Sequence, residues 1–116
     1  YPHFIGFANE QGEGKGLGFH RNFPLPAGTE DAAYLIALDD ALALIREYGP
    51  KYLVVSVGVD IYADDPLGKI KVSTEGISEI GKRIAALNLS PVLVMEGGYN
   101  NEVLGTNILA FLGAFR

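Results

Sequence analysis

Two short runs decide the architecture: Tyr52-Leu53-Val54-Val55-Ser56-Val57 and Pro91-Val92-Leu93-Val94-Met95. Each is almost continuously apolar and rich in β-branched residues. That composition predicts strands buried on both faces of a parallel sheet, because a half-wet strand would alternate apolar with polar positions. Between the runs, Ile77, Ile80, Ile84 and Leu87 recur at helical spacing behind Ser73 and Thr74, either of which can cap a helix start. Strand, helix and strand in this order predict a βαβ unit over residues 52–95.

Working outward, Tyr34, Leu35, Leu38, Leu42 and Ile45 mark one face of a helix over residues 33–48. Thr29 is its expected N-cap, with Glu30 and Asp31 in the first turn, where the helix dipole favours acids. Gly49-Pro50 ends it as a left-handed cap followed by a residue that cannot continue a helix. Downstream, Glu96-Gly97-Gly98-Tyr99-Asn100 reads as a tight loop. Asn100 or Asn101 then caps a last helix through Val103, Leu104, Ile108 and Phe111. The first thirty residues are glycine-rich, with Gly12, Gly14, Gly16 and Gly18 alternating; Phe19 to Phe23 is expected as a short strand, closed by a turn at Pro24, Pro26 and Gly28. The predicted fold class is α/β, a parallel sheet flanked by helices in one layer structure without repeats or linkers.

Composition narrows the function. The 116 residues suit one small domain or a piece of a larger one. Nine basic against fourteen acidic residues give a net charge of −5, which argues against a nucleic-acid binder. There is no cysteine, so thiolate catalysis, disulfides and Cys-based zinc sites are excluded. Apolar stretches fall well short of the ~20 residues a membrane span needs, and no signal peptide is visible, so the expected location is cytoplasmic.

In open α/β sheets, ligands bind beyond the carboxyl ends of the strands. Asp60 lies three residues after Val57, and Tyr99 four residues after Met95. Neighbouring strands sit about 4.8 Å apart, so a carboxylate and a phenol would face one crevice from adjacent loops. Each has a plainer reading. Loop aspartates are mostly turn formers or caps, and Gly97-Gly98 serves a tight turn as readily as a substrate slot. Asp64-Asp65-Pro66 reads first as a turn. His3 and His20 show no metal-ligand spacing, and the glycines at 12–18 match no phosphate loop.

Three separated segments, Ser56-Val57-Gly58-Val59-Asp60-Ile61-Tyr62-Ala63-Asp64-Asp65-Pro66-Leu67-Gly68, Ser73-Thr74-Glu75-Gly76 and Glu96-Gly97-Gly98-Tyr99, resemble the C-terminal part of the histone deacetylase superfamily. Tyr1-Pro2, the glycine series and Asn22-Phe23-Pro24-Leu25-Pro26 resemble its acetylpolyamine amidohydrolase and bacterial deacetylase-like branch. The resemblance implies a fragment of the arginase/deacetylase-like three-layer fold, with residues 1–116 as the C-terminal portion of a catalytic domain. It further implies a zinc-dependent hydrolase of acetylated amines, acetylpolyamine or acetyl-lysine. Asp60 matches a zinc ligand, and Tyr99 the catalytic tyrosine that donates to the oxyanion. Gly97, Gly98 and Tyr1 match walls of the substrate channel, and Asp65 a position that braces the metal loop.

This chain has no Asp-x-His and no His-His pair, the family's remaining metal and proton-handling elements. The expectation is therefore an excised piece or a natural truncation of an active parent. By itself it would be inactive and bind no zinc tightly, and it would self-associate through exposed sheet or helix surfaces as a homo-oligomer. The alternative is a truncated, non-catalytic deacetylase-like folding or interaction module. An unrelated nucleotide-binding domain is a third reading, which lacks a phosphate loop.

Overall fold

The computed structural model describes residues 4–115. Its elements run α1 (Asp31–Tyr48), β1 (Val54–Val57), α2 (Thr74–Ala85), β2 (Val92–Met95) and α3 (Leu104–Leu112), after a single 3-10 turn at Gly14–Gly16. The strands pair in parallel with Val54 opposite Val92 and Val57 opposite Met95. The pairing runs past the strand ends, since Glu96 N–H donates to Val57 O at 2.9 Å and Val59 N–H to Gly97 O at 2.8 Å.

The core is built around α2. Ile77, Ile80 and Ile84 are buried, together with Val57, Val59 and Val72 beneath them, Leu42 of α1 and Phe111 of α3. Each such side chain stabilises the fold by about 1.5–3 kcal/mol. Arg83 of α2 also bonds Leu35 O and the carboxylate of Asp39 on α1. That pair is partly exposed and screened by water, so apolar burial decides the packing. At the start of α2, Ser73 Oγ accepts the Gly76 N–H at 2.9 Å, completing the expected cap. Gly49 ends α1 in the left-handed region, φ 64°.

Four expectations are corrected. Thr29 does not cap α1: its hydroxyl donates to Pro26 O, closing the preceding turn, and the capping position falls on Glu30. The first-turn Asp31 instead reaches across to α2, accepting from Ser73 N–H at 2.7 Å and from Ser73 Oγ–H at 2.6 Å. Phe19 to Phe23 is not a strand; this stretch has no backbone ladder partner, and Asn22 Nδ2 ties it instead to Phe7 O at 3.0 Å and to the Glu10 carboxylate at 2.9 Å. Asn100 and Asn101 do not cap α3, whose capping position is Val103, because Asn100 is used in the loop ahead of it. Finally, the strands are buried on one face only. Val54 is 65% and Val92 61% exposed, and Val94 also faces outward. No helix among the described residues is long and apolar enough to cross a membrane.

Candidate active site

The segment between β1 and α2 does not wander as a simple loop. It leaves β1 at Gly58, turns at 62–68, and returns to pair with itself: Val72 N–H donates to Ile61 O at 3.0 Å, and Ala63 N–H to Val72 O at 2.9 Å. Lys71 N–H donates to Thr29 O, so the returning stretch is stitched to the entrance of α1 as well. The loop therefore has backbone bonds on both sides, and Asp60 sits on its outgoing arm.

The shared sheet end brings Asp60 and the β2–α3 loop together. Asp60 is half-buried against the main chain of Gly97. A Cβ at Gly97 would fall on the Asp60 carboxylate, and one at Gly58 would lie 2.8 Å from Asp60 Oδ1. At Gly98, φ is +146°, and a Cβ would lie 2.7 Å from Val59 and 2.8 Å from Leu104. These glycines thus let two strand-end loops close on each other with the carboxylate between them. Tyr99 follows immediately, its side chain half exposed. Tyr1 lies outside the described residues.

Sequence reasoning treated Asp65 as a brace of its own loop; the structure gives it a wider reach. Asp65 is only 6% exposed. Its Oδ1 accepts the N–H groups of Leu67 at 2.9 Å and Gly68 at 3.1 Å, and its Oδ2 accepts Tyr99 N–H at 2.7 Å from the other loop. Burial by itself would raise the carboxyl pKa, but the backbone donors Tyr99, Leu67, Gly68 and Asn100 outweigh it and hold Asp65 below its ordinary value. Asn100 Nδ2 adds a second tie, donating to Asp64 O at 3.0 Å. Spacing could not reveal this, because Asp65 and Tyr99 are far apart in sequence and meet only through strand pairing.

A cavity of about 950 Å³ opens beside Asp60, lined also by Tyr34, Leu38, Phe23 and Ile70. Tyr99, Gly97 and Gly98 are not part of its wall, so this cavity is separate from the Tyr99 side of the crevice. Tyr34 was legible only as an apolar helix position. Burial raises its phenol pKa, and the nearby Asp60 charge pushes the same way. Among the described residues no three His, Cys, Asp or Glu side chains are grouped closely enough to hold a metal ion.

Known proteins carry the same arrangement of chain. A histone deacetylase domain model matches residues 1–115. The chain is 44% identical over 115 residues to an acetylpolyamine amidohydrolase of Burkholderia pseudomallei, covering 99% of this chain and 34% of that protein. It is 41% identical to acetylpolyamine amidohydrolase 1 of Pseudomonas aeruginosa, covering 99% of this chain and 33% of that one. The crystal structure of the acetylpolyamine aminohydrolase from Burkholderia pseudomallei superposes with a TM-score of 0.95 over 99% of this chain and 34% of its own. That of an HDAC homolog complexed with SAHA gives 0.89 at 28% identity, over 98% of this chain and 31% of its own. The chain thus spans about a third of the length of the curated relatives it matches.

Proposed function

Because this chain belongs to the histone deacetylase domain family, we propose that it forms the C-terminal portion of the catalytic domain of a deacetylase. The substrate class is an acetylated amine, either an acetylpolyamine or acetyl-lysine, and the bond broken is the amide. One observation carries this reading: Asp60 and the Gly97-Gly98-Tyr99 loop converge at the carboxyl end of paired strands. The relatives named acetylpolyamine amidohydrolase support it.

In this reading Tyr99 is the catalytic residue. Its phenol donates a hydrogen bond to the acetyl oxygen as negative charge develops there, an interaction stronger in the transition state than in the substrate. By the family resemblance Gly97 and Gly98 line the acyl channel with their main chain, and Tyr1 matches a further wall position. The zinc implied by the family does not fit the residues of this chain alone. A catalytic zinc site needs three protein ligands, and no group of three stands together among the described residues. Asp60 supplies one ligand and sequence outside this chain the rest, so the chain alone neither holds zinc tightly nor turns substrate over.

The same lack of a three-ligand group favours a second reading, a non-catalytic deacetylase-like folding or interaction module. In either case the outward apolar sheet face supports self-association. The deciding experiment is a deacetylation assay on the full-length protein that carries this chain, supplied with zinc. Tyr99→Phe is expected to lower kcat by about 10²–10³-fold, and Asp60→Ala to abolish zinc retention. Unchanged turnover in Tyr99→Phe overturns the oxyanion role. A full-length protein that retains no zinc and hydrolyses no acetylated amine establishes the module instead.

A further inference from the structure

One carboxylate joins the two loops of the crevice, and its two oxygens divide the work. Oδ1 of Asp65 accepts Leu67 and Gly68 N–H, closing the loop that carries Asp60. Gly68 is in turn packed on the Asp60 main chain: a Cβ there would collide with the Asp60 carbonyl oxygen and lie 3.5 Å from Asp65 Cβ. Oδ2 accepts the N–H of Tyr99 itself, at 2.7 Å. Asp65 is only 6% exposed, the three bonds are partly buried, and a charged acceptor strengthens each of them. Tyr99, by contrast, is 50% exposed, and among the described residues no side-chain hydrogen bond holds its phenol. The hydrogen bond at its own backbone N–H is the one to Asp65.

We propose that Asp65 is a positioning residue for the deacetylation step, fixing the Tyr99 main chain against the Asp60 loop so that phenol and metal-binding carboxylate keep one register. This deepens the proposed function and rests on it. Asn is the informative substitution. Its single carbonyl oxygen can still accept from Leu67 and Gly68, while its NH₂ faces the Tyr99 N–H, donor against donor. The Tyr99 bond is lost and the loop closure kept.

The test is a double-mutant cycle in the zinc-loaded full-length protein, comparing wild type, Asp65→Asn, Tyr99→Phe and the double variant. Asp65→Asn is expected to lower kcat by about 10–100-fold with KM changed less than about threefold, and zinc content is expected to stay at wild-type level. In the Tyr99→Phe background the same substitution should cost less than about threefold, because a phenol that is absent cannot be mispositioned. Full multiplicative loss in the double variant overturns the positioning role while leaving Tyr99's own role intact. If Tyr99→Phe alone is fully active, the functional reading fails first, and the two failures are distinguishable. A measurement free of variants covers the case in which Asp65→Asn does not fold. In the wild-type full-length protein, hydrogen exchange at the Tyr99 amide should be protected at least about tenfold over that of an open loop. Exchange at the unprotected rate shows that the bond is not held and overturns the proposal.

Discussion

The two loops at the carboxyl end of the sheet and the sheet itself invert the usual division between ordered elements and loose connections. The strands are regular, yet one face is bare: Val54, Val92 and Val94 point outward with no layer over them among the described residues. The loops are irregular, yet they close on each other at van der Waals distance. A buried carboxylate serves two of them, and glycines stand where a methyl group would collide. Backbone hydrogen bonds make a strand, but burial makes it costly to disturb. Irregular segments acquire the same resistance when their polar groups are satisfied inside the fold.

The sharpest way to break this contrast is Gly68→Ala. The new methyl would meet the carbonyl oxygen of Asp60, a main-chain atom that cannot rotate away. A loss of about 3 kcal/mol is expected by urea denaturation; a loss below 0.5 kcal/mol would mean the loop is slack.

Asp65→Ala comes next, with about 2 kcal/mol, because three partly buried N–H groups lose their charged acceptor. Its signature is acid dependence. The folded-state pKa lies below the ordinary 3.8, so the charged form is favoured by folding. That contribution is fully present above the unfolded value and is lost as pH falls through the lower folded value. Wild-type stability should therefore drop more steeply below pH 3.8 than that of Asp65→Ala; parallel profiles would count against the backbone clamp.

Gly97→Ala should cost less, about 1 kcal/mol, since the group it meets is the Asp60 carboxylate, which can swing aside. The displaced carboxylate would be visible as a shifted Asp60 side-chain resonance. The smallest effect belongs to the sheet. Val94→Thr on the outward face should change monomer stability by less than about 0.5 kcal/mol, while weakening self-association in sedimentation. A larger loss of monomer stability would show that this face is packed after all.

Much of the fold was legible locally. The isoleucine spacing of α2, the Gly49-Pro50 stop and the two apolar strand runs all depend on neighbours within a few residues. The caps were misread at Thr29, Asn100 and Asn101, because a small polar side chain can serve a turn or a helix equally well. The choice there is made by what stands opposite, Pro26 in one case and Asp64 in another. The expected burial of both sheet faces failed for a related reason. An apolar run states a strand's demand for cover, and whether a covering layer exists is a property of the rest of the fold.

Within the site, the sequence by itself determined that an acid and a phenol follow consecutive parallel strands, because strand order and loop length fix which end of the sheet they reach. Only the tertiary structure decided that Asp65 holds Tyr99, that Asp31 serves Ser73, and that Gly97 accepts the Asp60 carboxylate against its backbone. Those contacts join residues brought close by register and helix packing. A hydrogen bond depends on distances of a few tenths of an ångström, which no spacing along the chain encodes.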